Sequence, residues 1–484
     1  MKQINQIRTN ELTLDELILH FENGELSSVG LVKNYLERIA AFDKAGPCIN
    51  SVLEVNPEAL FIAKKMDHER SNGKIRGPLH GVPVIIKDNI DSADQMHTSA
   101  GSLVLENHYA EKDAWIVKKL RDAGAVILGK ANMTEWANFM AYDMPNGYSS
   151  RGGQVLNPYG PGVHDVSGSS SGSAASVACN FTMLAVGTET AGSILCPAGN
   201  NNIVGIKPTV GLVSRTGIIP ISISQDTAGP MARNVKDAAK LLEVLAGYDE
   251  DDSATHSATF FDSYTDGLEK ATLKRKRLGV TYNFCIRNLT DTQKTVFDES
   301  LSLLKKEGAE IIYLEKISPL ENENFNYKVL LHEFKSGINN YLKTVSSALR
   351  ISTLSDIIEY NKQNKEACLV HNQELLEESN QTDGTLTSPD YLNARLNDLK
   401  YSQVDGIDQV MKEHQLDALI SPNDVWYGIP AKAGYPSISV PSGFDDNGLP
   451  LSIVLTAGAF SEKILIEIAY AYEQVTQYRV PIEY

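Results

Sequence analysis

The stretch SGSSSGSAASVACNFTMLAVGTETAGSILCPAG, from Ser167 to Gly199, holds two glycine- and serine-rich segments joined by a run of small and apolar residues. From Ala174 to Val186 that run is small or apolar on every side, which predicts a helix buried at the centre of the molecule and not one lying on its surface. Upstream the pattern alternates. Val82 to Ile86 is an apolar, β-branched run, Asp113 to Arg121 reads as a helix opened by an aspartate cap and closed by Gly124, and Ala125 to Leu128 as a strand. That rhythm means α/β, helices packed on a sheet.

Farther out, LTLDELILHF and VGLVKNYLERIAAF carry apolar residues at spacings of three and four. They predict covering helices between Thr13 and about His68, the first with a Thr13 and Glu16 capping box. Between Ile317 and Gln415 the chain turns polar and helical, as in EYNKQNKEACLVHNQELLEESNQ, and reads as a helical lobe. The sheet pattern returns from Leu419 to Leu455, where SISVPSGFDDNGLPLSIVL predicts two strands around the Asn447-Gly448 turn, and a helix from Glu462 to Gln474 closes the chain. The expected organisation is residues 1-70 as covering helices, 71-316 as a catalytic core, 317-415 as the helical lobe and 416-484 as the elements that complete the core. No internal repeat, low-complexity tract or Pro/Gly/Ser linker divides these segments.

The 484 residues suffice for a large buried core. A formal net charge of -17 opposes non-specific phosphate binding, so nucleic acid is not expected as a partner. Five widely spaced cysteines without a CxxC pair suggest neither a disulfide framework nor a zinc site, and no metal or other cofactor is expected. The first residues lack the apolar core of a signal peptide, and no run approaches the ~20 apolar residues of a membrane span. The simplest reading is a soluble, cytoplasmic protein; oligomeric state is not readable, and a homodimer stays open.

Three segments supply chemistry: GPLHGVPVIIKDNI (Gly77 to Ile90), SGSSSGSAASVA (Ser167 to Ala178) and GTETAGSILCPAG (Gly187 to Gly199). Together they resemble the amidase signature family, whose members cut amide C–N bonds with a Ser, cis-Ser, Lys relay. The resemblance implies an amidase signature fold, a central mixed β-sheet covered by helices on both faces, with the helical lobe near the substrate site. Residue by residue it implies Lys87 as base, Ser169 as cis-serine after a cis Gly168–Ser169 bond, and Ser193 as nucleophile. The two serines are 24 residues apart, the family's spacing. It covers most of the chain from Leu14 to Ala246, thins in the lobe and resumes near Gly434.

Amide hydrolysis needs a nucleophile, a proton donor for the departing nitrogen, and donors for the developing oxyanion. In GTETAGS small residues let the backbone approach the substrate, so the amides of Thr190, Ala191, Gly192 and Ser193 are the expected oxyanion hole. Lys87 ends a run of Val84, Ile85 and Ile86, where desolvation can lower its pKa by as much as ~3 to 5 from about 10.4. Strand alternation turns the neighbouring Asp88 to the other face. Taken alone, Lys87 would read as a solvated strand end, and the serine segments reverse that. Lys207, the rival base, reads as a turn residue beside Pro208.

Several residues admit a plainer reading. Gly168-Ser169-Ser170-Ser171-Gly172 also fits the G-x-S-x-G elbow of α/β-hydrolases with Ser170 as nucleophile, but His256, His332, His371 and His414 lie in polar contexts without a strand-end setting. Cys196 has no histidine placed to activate it and reads as small packing. Ser171 stands where the family commonly has glycine and is expected to narrow the site mouth. Glu189 replaces a common aspartate, with the same bracing task. Gln225, Asp226 and Thr227 are expected to brace the site. Ser170, Asp226, Trp426 and Tyr427 are the substrate-binding candidates, within or beside the segment Asn423, Asp424, Trp426, Tyr427, although aromatics beside a strand are more often core.

SSRGGQVLNPY (Ser149 to Tyr159) with SGSSSGS, GTETAGSILCPAG and SQDTAGPM is most similar to peptide amidases and their bacterial relatives, which implies a small-molecule or peptide amide as substrate and ammonia as product. The alternative is the glutaminase A subunit of a tRNA-dependent amidotransferase. Several family members, that subunit among them, place arginine where Leu195 and Cys196 stand here, so no carboxylate recognition is expected at this point. A non-catalytic binding protein that keeps the fold is disfavoured by three relay residues in register.

Overall fold

A computed structural model describes residues 9–322, 326–423 and 425–484. Its frame is an eleven-stranded mixed sheet in the order Val52–Val55, Val126–Ala131, Pro83–Lys87, Leu184–Glu189, Thr227–Ala232, Val204–Lys207, Ser437–Phe444, Pro450–Thr456, Ala418–Pro422, Arg277–Val280, Glu310–Tyr313. Helices flank it. The central strands are buried along their whole length, which is why they read as continuous apolar runs and not as alternating ones.

The Ser167–Gly199 stretch departs from expectation in one respect. The helix runs only from Ser171 to Ala178, Asn180 turns the chain in the left-handed region, and the remainder of the predicted helix is the strand Leu184–Glu189. An apolar run buried on every side suits a central strand as well as a central helix, so periodicity cannot separate them. Small residues in the helix are required by contact. A methyl carbon on Gly172 would lie 2.3 Å from the carbonyl oxygens of both Asn132 and Ser51.

The Thr13 capping box forms as expected and opens Leu14–Glu22. Ser28–Arg38 and Ala59–Ser71 follow, and between them Val52–Val55 joins the sheet edge, a strand the helical pattern concealed. The next helix is Trp115–Asp122, and its N-cap is Ala114 without a side-chain bond. Asp113 is engaged elsewhere, accepting from Ala93 N and Arg121. The hairpin around Asn447-Gly448 pairs Ser437–Phe444 with Pro450–Thr456 antiparallel, and Glu462–Thr476 ends the fold.

Helices Lys328–Tyr341, Leu354–Gln363, Glu374–Gln381 and Pro389–Leu399 make up most of the polar region after residue 326. They share one apolar cluster with Trp136, Phe139 and Met140, into which Phe334 and Ile338 pack. That packing attaches the helices over the end of the sheet where Lys87 emerges.

Candidate active site

Strand pairing brings distant segments together. Pro83–Lys87 runs parallel to Leu184–Glu189 with Ile86 beside Val186, so Lys87 ends next to the turn that begins at Thr188. The helix Ser171–Ala178 packs on both strands, which sets Ser169 and Ser170 over the same point. Lys87 Nζ lies 2.8 Å from Ser169 Oγ, 3.0 Å from Ser170 Oγ, 3.0 Å from Thr188 Oγ1 and 3.1 Å from the Thr188 carbonyl. The peptide bond between Gly168 and Ser169 is cis. Ser193 adjoins this cluster through its carbonyl, which accepts Ser170 N–H at 3.1 Å. Among the described residues its own Oγ has no hydrogen-bond partner.

Lys87 is fully buried, and that desolvation pushes its pKa down to about 7 against the opposing pull of Glu189 and Asp226. Asp88 faces away, accepting from Ser99 and Gly101 N–H. An ammonium has three protons for the four oxygens around Nζ, whereas a neutral amine has two and a lone pair. When Lys87 is neutral, a neighbouring hydroxyl can therefore donate to it, and Ser169 is the nearest.

The turn after Thr188 is held from within. Glu189 Oε1 accepts Gly192 N–H at 2.8 Å, and its Oε2 accepts Ile194 N–H at 2.7 Å and Leu195 N–H at 3.0 Å. This corrects the expected oxyanion hole, because the Gly192 amide is already engaged. The amides of Thr190, Ala191 and Ser193 have no acceptor among the described residues. Thr190 Oγ1 donates to Asp226 Oδ1 at 2.5 Å, and Asp226 Oδ2 accepts Ile221 and Ser222 N–H. Gln225 Nε2 donates to the Thr190 carbonyl at 3.2 Å. Asp226 and Gln225 thus brace the loop, and Asp226 also lines the cavity described below.

Other candidates separate. Ser170 bridges Lys87 and Thr188, donating to the Thr188 carbonyl at 3.0 Å, and no histidine bonds to it among the described residues, so the hydrolase elbow has no base. Ser171 does not narrow the mouth, since it is buried and donates to the Ser167 carbonyl at 2.6 Å. Lys207 is not a turn residue: it ends the strand Val204–Lys207, fully buried, and donates to the Tyr435 carbonyl. Trp426 belongs to the core, its indole N–H directed at Cys285 Sγ. Tyr427 lies against the serine loop, 3.1 Å from where a methyl carbon on Gly192 would stand. Cys196 is partly exposed there as well, and Asp424 lies outside the described residues.

Asn89 escaped the sequence reading. It lies in the turn that follows Lys87, closed by Ile90 N–H on the Lys87 carbonyl, and its Nδ2 donates to Thr188 Oγ1 at 3.0 Å. Its nearness in sequence to Lys87 was the available signal. A cavity of about 870 Å³ opens beside the cluster. Thr188, Thr190 and Asp226 lie at one part of its wall, Asn89, Asp91 and His108 at another, and Tyr341 with the turn that follows it on the lobe side. Among the described residues no group of three His, Cys, Asp or Glu side chains could hold a metal ion, and no helix is long and apolar enough to cross a membrane.

A buried lysine and paired serines thus meet at a strand end of a mixed sheet, and comparison with known proteins gives the class of the molecule. The amidase family profile matches residues 30–466. Native peptide amidase from Stenotrophomonas maltophilia superposes with a TM-score of 0.91 at 43% identity, over 98% of each chain. A probable amidase of Arabidopsis thaliana is 40% identical over 97% of this chain and 91% of its own. The A subunit of glutamyl-tRNA(Gln) amidotransferase from Prochlorococcus marinus is 32% identical over 96% and 98%. The chain belongs to the amidase family and is an amide-cleaving hydrolase.

Proposed function

We propose that the protein hydrolyses a carboxamide, the C-terminal amide of a peptide or another small acyl amide, to the acid and ammonia through an acyl-enzyme. The observation that carries this reading is the buried Lys87 amine, 2.8 Å from Ser169 Oγ and with its pKa lowered to about 7. Ser193 Oγ attacks the carbonyl carbon as its proton passes to Ser169 and the Ser169 proton to neutral Lys87. The oxyanion is met by the amides of Thr190, Ala191 and Ser193. Collapse expels ammonia, which takes the proton back along the same path, and leaves the acyl ester on Ser193. Water then adds with the relay again as base, and the acid departs.

Similarity to the Stenotrophomonas peptide amidase at 43% identity favours a peptide amide. The second reading, a glutaminase subunit, is favoured by the Prochlorococcus relative at 32%. Leu195 and Cys196 weigh against it, since neither can pair with a substrate carboxylate. The test is ammonia release by the purified chain from an amidated peptide and from glutamine, with Ser193→Ala as blank. Release from the peptide amide alone supports the first reading; release from glutamine alone, or none without added partners, favours the second.

A further inference from the structure

The lobe helix Lys328–Tyr341 contributes Gly337, Asn340 and Tyr341 to the wall of the cavity. Glu333, Gly337 and Tyr341 stand at i, i+4 and i+8, hence on one face of that helix. Both outer positions are tied to the opposite lip, residues 217–224. Glu333 Oε2 accepts Ser224 N–H at 3.0 Å and the Ser224 hydroxyl at 2.9 Å, and also the Ser222 hydroxyl. Tyr341 donates to Asp91 Oδ1 at 2.7 Å, and Asp91 N–H donates to the Gly217 carbonyl at 2.9 Å. Glu333 and Tyr341 are buried. The helix is therefore held at a fixed distance from the lip on either side of Gly337.

Glycine is among the poorest residues for a helix interior, and the backbone at Gly337 is ordinary right-handed helix that any side chain accepts. Space supplies the reason for it. A methyl carbon on Gly337 would lie 3.1 Å from Pro220 Cγ and, apart from its own helix, would meet no other residue within 4 Å among the described ones. Gly337 is half-buried, and Pro220 lines the same cavity. With the helix tied at both ends, a longer side chain at this position gains room only by entering the cavity. The volume left open is apolar on the lip side: Ile218, Ile219, Pro220, Ile221 and Ile223 line it, and Ile223 is 64% exposed. The same lip reaches the serine loop, since Asp226 accepts Ile221 N–H through Oδ2 and the Thr190 hydroxyl through Oδ1. An uncovered apolar wall that adjoins the reacting groups is complemented by an apolar group on the substrate.

We propose that Gly337 is a specificity-determining residue: by withholding a side chain it opens a chamber, between the lobe helix and the isoleucine-rich lip, for a bulky apolar side chain on the acyl part of the amide substrate. The inference rests on the amidase reading above and adds the substrate class to it. Glu333 and Tyr341 hold the width of the chamber. Gly337 takes no part in the proton relay.

The experiment measures kcat/KM for ammonia release from acetyl-glycinamide, acetyl-phenylalaninamide and acetyl-phenylalanyl-glycinamide by the protein, Gly337→Ala and Gly337→Leu. Calorimetry gives Kd for the same three amides on Ser193→Ala. At least one phenylalanyl amide is expected to exceed acetyl-glycinamide by about tenfold or more, the scale of burying one large apolar side chain. Which of the two does so shows which residue of the acyl part fills the chamber. Gly337→Leu is expected to cost the favoured amide at least about tenfold more than it costs acetyl-glycinamide, and Gly337→Ala a smaller part of the same difference. Equal kcat/KM for all three amides in the unaltered protein, equal losses on all three in a folded Gly337→Leu, or an unchanged preference there overturns the proposal. Alanine is the better helix former, so should Gly337→Leu fail to fold, Gly337→Ala decides by the same criterion. Phenylalanyl selectivity in Kd without ammonia release from any amide would refute the hydrolase reading and leave the chamber standing.

Discussion

Glu189 accepts the backbone N–H of Gly192, three residues later in its own chain, at 2.8 Å, and with its other oxygen those of Ile194 and Leu195. One carboxylate therefore sets the turn that carries Ser193. Removing it leaves three buried donors unpaired, each costing about 1 to 3 kcal/mol. Glu189→Ala is expected to lower stability by about 3 kcal/mol or more and to abolish most turnover. Glu189→Gln should be nearly as harmful, because its NH2 faces N–H donors on one side of the fork. Thermal unfolding alongside ammonia release checks both; a Gln variant close to wild type would refute the bracing role.

In the proposed relay Lys87 can act as base only when neutral, and its pKa is pushed down to about 7 by burial. As pH falls through that value the protonated fraction grows, so kcat/KM is expected to drop tenfold per pH unit. Below about 6 the slope should steepen, since Asp226, raised to about 6 by burial, gains a proton and loosens its hold on Thr190 and on the Ile221 and Ser222 amides. A pH–rate profile flat from 8 to 5 would exclude a lysine base. Asp226→Asn is expected to remove the second, steeper limb.

Substitution within the cluster should grade by distance from the proton path. Ser193→Ala is expected to lose at least about 10^5-fold and Lys87→Ala about 10^3-fold in kcat. Ser170→Ala, which removes a contact to Lys87 and a bond to the Thr188 carbonyl, should cost less, about tenfold to a hundredfold. Steady-state kinetics with circular dichroism as a folding control reads the series. A larger loss in Ser170→Ala than in Ser193→Ala would move the nucleophile to Ser170.

Gly192 has φ +81°, and a methyl carbon on it would lie 2.8 Å from Cys196 Sγ and 3.1 Å from the Tyr427 ring. Gly192→Ala is expected to reduce kcat at least about tenfold, through both strain and crowding. Adding Cys196→Ala relieves one contact and leaves the backbone strain, so rescue should be partial. Full rescue by the second change would reduce the effect to packing alone.

Much of the frame was legible locally. Val82 to Ile86, Ala125 to Leu128 and the Asn447-Gly448 hairpin announce strands because a buried strand needs an unbroken apolar run and a tight turn needs residues that tolerate positive φ. The Ala174–Val186 stretch misled, since burial on all sides erases the periodicity that separates helix from strand. Asp113 looked like a cap, and its carboxylate was taken by Arg121 instead. Trp426 was offered for a pocket; it packs in the core against Cys285 and, with Tyr427, also lines a small second cavity of about 140 Å³.

The amino-acid sequence alone determined the family and the spacing of Ser169 and Ser193, because those reside in residue type and separation along the chain; it set Lys207 aside as a turn residue, and the structure puts that lysine at a buried strand end. Tertiary structure decided how these groups meet and what is left unpaired. It placed Lys87 Nζ within 3.1 Å of four oxygens, gave the Gly192 amide to Glu189, and brought Tyr341 of the lobe to Asp91 across 250 residues. Hydrogen-bond pairing and burial depend on which segments the sheet and lobe bring into contact, and such long-range neighbours leave no periodic trace in the chain.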